Sequence, residues 1–183
     1  MVSQDEQMLV LVNEQDEAIG TMEKMEVHRK ALLHRAFSVF LFNSKGEMFL
    51  QRRALKKYHS GGLWTNACCS HPYPTETPVA AAMRRMKEEL GFTTQVEPTF
   101  SFIYKATLDN ELTEYEFDHV LIGNYDGDIL LNEDEAADYC FRSMEDLKEH
   151  LAQYPAKYTA WFKIALPMLE EYLTRNKSNI HGA

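Results

Sequence analysis

The chain has 183 residues and a formal net charge of −9, with 45% hydrophobic and 26% charged residues. That length suits one domain with a sizeable core, while 11% aromatic content with only 8 Gly and 6 Pro excludes a disordered or collagen-like chain. The excess of 28 acidic over 19 basic residues argues against a broad nucleic-acid surface, and no apolar run approaches the roughly 18 residues of a membrane span.

The first residues, Met1-Val2-Ser3-Gln4-Asp5-Glu6, are acidic and lack the basic and apolar regions of a secretory signal. The expected location is cytoplasmic, with neither nucleic acid nor membrane as partner. Three cysteines, Cys68, Cys69 and Cys140, form no C-x-x-C pair and make a poor disulfide framework, which points to a reducing compartment.

In chain order, Met8 to Val12 reads as a strand, followed by a polar turn over Asn13 to Glu17. Phe37 to Phe42 reads as a buried strand, and Asn43-Ser44-Lys45-Gly46 turns it into a return strand over Glu47 to Arg52, a hairpin. Residues 60–78 are rich in Gly and Pro and read as loop. A helix begins at Pro78 with Thr77 as N-cap and stops at Gly91. Strands follow over Phe100 to Ala106 and Thr113 to Ile122, with a turn at Asp126-Gly127-Asp128. Ser143-Met144-Glu145-Asp146 caps a helix reaching Gln153, and a longer helix covers Thr159 to Thr174 with a kink at Pro167. This order predicts an α/β (α+β) fold, mixed β-sheets sandwiched by helices in a single domain.

Around that first long helix the spacing Ser70-x5-Glu76-x7-Arg84-Arg85-Met86-Lys87-Glu88-Glu89-Leu90-Gly91-Phe92 resembles the Nudix box, G-x5-E-x7-R-E-U-x-E-E-x-G-U. Ser70 stands where the box opens on Gly, and Arg85 where it carries the Glu of its R-E pair. In that family the carboxylates bind divalent cations that serve a diphosphate substrate. Exchanging one for a guanidinium reverses a charge of the metal cluster and adds a bidentate phosphate donor. A Nudix-like fold and a diphosphate ligand fit this change, whereas metal-activated hydrolysis does not.

Just upstream lies Trp64-Thr65-Asn66-Ala67-Cys68-Cys69-Ser70-His71-Pro72. Together with Thr21-Met22-Glu23-Lys24 and Glu114-Tyr115-Glu116, this segment resembles the type I isopentenyl-diphosphate isomerase family, from about Gly20 to Trp161. The resemblance implies interconversion of isopentenyl and dimethylallyl diphosphate in isoprenoid biosynthesis, by protonation and deprotonation through a tertiary carbocation. Such chemistry needs an acid, a base and shelter for positive charge from water. By resemblance Cys69 is one acid/base group and Glu116 the other, while Cys68 is structural. Glu114 and Glu116 share one face of a strand, and with His28, His34 and His71 they are implied as ligands of a divalent metal, Mn, Zn or Mg. Asp118 extends that acidic stripe without an assigned role. His59, His119, His150 and His181 are read as ordinary histidines.

The resemblance further places Lys24, Arg53, Lys57 and Arg85 on the diphosphate, with Ser70 as an additional phosphate donor. It implies that Glu89 holds a Mg²⁺ bridging to the diphosphate oxygens. Tyr104 is expected to bond Glu116 or relay a proton, and Trp161 to lay its ring against the carbocation. The expected organisation is one domain over residues 1–183, with a catalytic core at about 34–165 on which segment 1–33 and a C-terminal helix at 159–175 pack. The expected substrate is a small prenyl diphosphate and the expected state a monomer. Two alternatives stay open: a Nudix-type diphosphate hydrolase, and a non-catalytic metal- or partner-binding module on the same scaffold.

Overall fold

The computed structural model describes residues 7–180; the expected signal-free start at Met1 to Glu6 and His181 lie outside the described residues. In chain order the elements are β1 (Met8–Val12), β2 (Ala18–Glu23), α1 (Lys24–Lys30), β3 (His34–Phe42), β4 (Met48–Arg53), β5 (Trp64–Thr65) and β6 (Cys68–Ser70). They continue with α2 (Pro78–Leu90), β7 (Val96–Thr107), β8 (Thr113–Asn124), β9 (Ala136–Arg142), α3 (Met144–Gln153) and α4 (Ala160–Ile180). No described helix is long and apolar enough to cross a membrane.

Strand β3 is the spine. Along its whole length, from His34 opposite Glu116 to Phe42 opposite Asn124, it runs parallel to β8, which turns back into an antiparallel β7. Its other edge is shared out: β1 touches it at His34, β6 pairs with Phe37 to Val39, and β4 meets it at Phe42. The described strands thus join in one mixed nine-stranded sheet. The hairpin expected at Asn43 to Gly46 closes, but its strands share the single Phe42–Met48 pair before β4 leaves to pair with β9 and β5. The reason is occupancy: β6 takes the β3 edge that a longer hairpin would need.

Alternation along β3 feeds two cores. Phe37, Val39 and Leu41 face Ala81, Ala82, Met86 and Leu90 of α2, while Phe40 faces Phe162, Leu166 and Leu169 of α4 and Leu147 of α3. Helix α2 forms where its signals lie: the Thr77 side chain accepts from the Ala80 N–H, Pro78 occupies the first turn, and Gly91 ends it at φ 78°. Pro167 sits inside α4, where it withdraws one N–H from the helical ladder.

Several short elements escape the sequence reading. β5 and β6 lie within the stretch read as loop, and β2, α1 and β9 carry weak patterns, β2 being exposed along most of its length. The loop between β4 and β5 turns on two glycines. A Cβ on Gly61 would stand 2.5 Å from the Leu55 carbonyl oxygen, and Gly62 adopts φ 77°.

Candidate active site

Pairing of β6 with β3 decides the fate of the two cysteines. Ser38 lies opposite Cys69 and Val39 opposite Cys68, so the adjacent thiols point to opposite faces of the sheet. Cys68 is fully buried in the core beneath α2. Cys69 faces the α4 side, where it donates to Asn66 Oδ1 (2.9 Å) and accepts from the Trp161 indole N–H (3.2 Å). Ser38 Oγ lies 3.6 Å from the sulfur and donates to Asp118 Oδ2 at 2.7 Å. Burial pushes the Cys69 thiol well up, the Asp118 charge adds to this, and the Ser38 and Asn66 hydrogen bonds oppose it. At neutral pH the resting group is a thiol.

The β7–β8 ladder sets Tyr104 opposite Glu116. The Tyr104 hydroxyl lies 2.7 Å from Glu116 Oε2 and 2.9 Å from Glu114 Oε2. Burial raises the Glu114 carboxyl, helped by the neighbouring Glu116 charge. Burial also opposes the charge on Glu116, but the neighbouring His34 and His71 rings outweigh it and hold this carboxyl well below its usual range. Their surroundings thus push the two carboxyls in opposite directions, and one tyrosine hydroxyl lies within hydrogen-bond reach of both.

His28 from α1, His34 from β3, His71 after β6 and Glu116 from β8 bring their ligand atoms within 4.8 Å of one another. His28 Nδ1 bonds the Lys24 carbonyl (2.7 Å) and His34 Nδ1 the Leu32 carbonyl (2.8 Å). A carbonyl can only accept, so both Nδ1 atoms carry the proton and both Nε2 atoms present lone pairs. His34 Nε2 stands 3.2 Å from His71 Nε2 and 3.5 Å from Glu116 Oε1, and the buried His28 Nε2 has no hydrogen-bond partner. Burial pulls His71 down to about 3 and lowers His28. Three imidazole nitrogens converging beside a carboxylate oxygen fit a divalent cation. Glu114 stays outside this group: its second oxygen lies 3.7 Å from His59 Nε2.

The anticipated phosphate contacts converge too. Lys24, Arg53, Lys57, Ser70, Arg85 and Glu89 line the same cavity as Cys69, Tyr104, Glu114, Glu116, His71 and Trp161. His28 and His34 are fully buried and reach it through His71 and Glu116. Burial lowers Lys24 to about 8, assisted by the charges of Arg85 and Arg53. Arg53 lies 5.2 Å from the Trp161 ring centre. Glu89 accepts from Arg85 Nη2 (2.7 Å) and Nε (3.1 Å) on one oxygen and from Gln51 (3.0 Å) on the other. Just before the box-like helix, Glu76 takes a bidentate pair of 2.7 Å hydrogen bonds from Arg84 within it.

The sequence reading missed Gln51, Tyr58, His59 and Glu135, all of which line this cavity. His59 is buried, its pKa pulled to about 2 by burial and by Arg53, and its ring meets Trp161 edge-on at 5.9 Å. A lone histidine in a glycine-rich loop carries no spacing signal. Glu135 follows a run of acidic residues that reads as solvated surface.

A family model for the NUDIX domain matches residues 32–162. The fold is shared with DR0079 of Deinococcus radiodurans, at TM-score 0.67 and 23% identity over 84% of this chain and 92% of that one. It is shared also with a MutT protein of Methanosarcina mazei Go1, at TM-score 0.63 and 21% identity over 79% and 96%. Isopentenyl-diphosphate Delta-isomerase 2 of Photorhabdus laumondii is 48% identical over 86% of this chain and 89% of its own length. The isopentenyl-diphosphate Delta-isomerase of Serratia proteamaculans is 45% identical over 86% and 88%. The chain belongs to the Nudix superfamily and, within it, to the isopentenyl-diphosphate Delta-isomerase family.

Proposed function

We propose that this protein interconverts isopentenyl diphosphate and dimethylallyl diphosphate. The observation that carries the reading is the meeting in one cavity of a half-buried thiol, Cys69, a buried carboxylate, Glu116, and a set of cations. Relatives at 48% and 45% identity that bear the isomerase name support it.

The reaction adds a proton to the terminal methylene carbon, using the double-bond electrons for the new C–H bond. The positive charge left on the tertiary carbon is then cancelled when the neighbouring methylene loses a proton and its C–H electrons form the new double bond. Cys69 and Glu116 are the two proton-transfer groups, one giving and one receiving, with the roles exchanged in the reverse direction. Tyr104 carries protons to or from Glu116, to which it is bonded at 2.7 Å. Trp161, only 3% exposed, offers its ring to the carbocation and helps keep water out. Lys24, Arg53, Lys57, Arg85 and Ser70 hold the diphosphate.

The donor set of His28, His34, His71 and Glu116, with Glu114 beside it, suits Mn, Zn or Mg. An ion bound there supplies positive charge that keeps Glu116 ionised. Glu89 is the residue for a Mg²⁺ arriving with the diphosphate.

The hydrolase alternative is disfavoured because Arg85 occupies a box position of the carboxylate cluster and pairs with Glu88 at 2.5 Å and Glu89 at 2.7 Å. Incubation of the purified protein with isopentenyl diphosphate and Mg²⁺ separates the two readings. Dimethylallyl diphosphate without orthophosphate release is expected; cleavage of the diphosphate in place of isomerisation would overturn the proposal.

A further inference from the structure

Glu135 is a carboxylate with 7% side-chain exposure that no part of the proton-transfer chemistry uses. Its Oε2 is bonded to the Lys57 ammonium and lies 3.2 Å from Arg85 Nη2. These two cations come from different elements, Lys57 from the loop after β4 and Arg85 from α2. A buried carboxylate is costly unless it is paired, and a pair of largely sheltered cations facing one cavity is costly without an anion. Glu135 answers both costs with one group.

Its backbone is fixed on both sides. The Glu135 N–H donates to the Asn132 carbonyl (2.9 Å), and the Glu135 carbonyl accepts from the Ala54 N–H at the start of the Lys57 loop (3.0 Å). Asn132 in turn donates its N–H to the Glu89 carbonyl of α2 (2.9 Å). Next door, Asp134 is paired with Lys56, a second tie between the same two segments. The carboxylate is thus held to the loop and to the helix whose cations it contacts. Charge is felt across the group: burial lowers the Lys57 ammonium while Glu135 opposes that fall.

We infer that Glu135 is a positioning residue of the diphosphate site: it holds Lys57 and Arg85 aimed into the cavity so that both meet one diphosphate. The inference rests on the diphosphate reading given above. A diphosphate that takes these two cations contributes binding equally to substrate and transition state, so the loss of their alignment falls on KM and not on kcat.

The test uses the full-length protein in Mg²⁺ with inorganic diphosphate as the binding probe and isopentenyl diphosphate as the substrate. Glu135→Gln, which keeps the shape and removes the charge, is expected to weaken diphosphate binding and raise KM about tenfold, with kcat within about threefold. In combination with Lys57→Met it is expected to add less than it costs in the wild-type background, because its pairing with Lys57 is already gone and only that with Arg85 remains. If Glu135→Gln fails to fold, Glu135→Asp takes its place; it retains the charge but withdraws it, and a smaller rise in KM is expected. Binding by the folded variant that is unchanged or tighter, or losses that simply add in the double variant, would overturn the inference. Failure of the wild-type protein to bind inorganic diphosphate at all would instead sink the diphosphate reading on which it rests.

Discussion

Cys68 and Cys69 are adjacent in the chain and differ in almost every physical respect. A strand points successive side chains to opposite faces, so one thiol enters the apolar core with Ala82 and Met86 while the other meets Trp161, Asn66 and Ser38. Cys68→Ala is therefore expected to cost about 1–2 kcal/mol of stability, measured by thermal or denaturant unfolding, while turnover stays within about threefold. A loss of turnover as deep as that of a Cys69 variant would contradict the division of roles. The motif Trp64 to Pro72 carried Cys69 and His71 in the sequence reading, but not the alternation that separates the thiols, since a three-residue strand has no periodic signature. Ser38 was invisible as a partner for the same reason, since only the β3–β6 register brings it to the sulfur, while Asn66 is held there by donating to the Val39 and Cys68 carbonyls. Tyr104 and Glu116 were legible as a pair of strand residues, whereas their direct opposition depends on the β7–β8 register.

At the scale of elements, α2 was the most legible, because its start, its stop and its box residues are all local. Thr77 caps it, Gly91 ends it, and Glu76 just before it binds Arg84 within it. The Arg84 hydrogen bonds hold the Glu76 carboxyl below its ordinary value of 4.5, against a smaller opposing effect of burial. A carboxyl depressed by folding binds fewer protons in the native than in the unfolded state. Its contribution is present above pH 4.5 and is lost as the pH falls through the depressed native value. Glu76→Gln is expected to lower the melting temperature at pH 7 and to flatten its decline between about pH 5 and 3. An acid limb as steep as that of the wild type would show that Glu76 is not the group responsible. Elements β2, β5, β6 and β9 were not legible, and each owes its form to a neighbour. β9 exists as the partner of β4 and β6 as the partner of the β3 edge. For α1 the N-terminal signal was present but unrecognised: Glu23 accepts from the N–H groups of Met25 and Glu26.

Across the whole molecule, the sheet gathers residues that are far apart in sequence. The cation-fitting group takes one residue each from α1, β3, the segment after β6, and β8. The basic residues facing the cavity come from α1, the end of β4, the following loop and α2. A net charge of −9 describes the protein's surface and says nothing of that interior, where cations gather beside buried carboxylates. Fold class and family were readable because the box and the cysteine motif are contiguous strings. The burial of His59 and the twofold pairing of Glu135 were not, because both arise where the loop after β4 meets distant segments.

The central claim is that Cys69 and Glu116 move protons to and from substrate carbon within this one cavity. Incubation with isopentenyl diphosphate and Mg²⁺ in D₂O, followed by NMR, tests it most directly. The wild-type protein is expected to form dimethylallyl diphosphate carrying deuterium at carbon, while folded Cys69→Ser and Glu116→Gln variants incorporate it at less than about a hundredth of that rate. Deuterium incorporation at the wild-type rate in either variant would contradict the account.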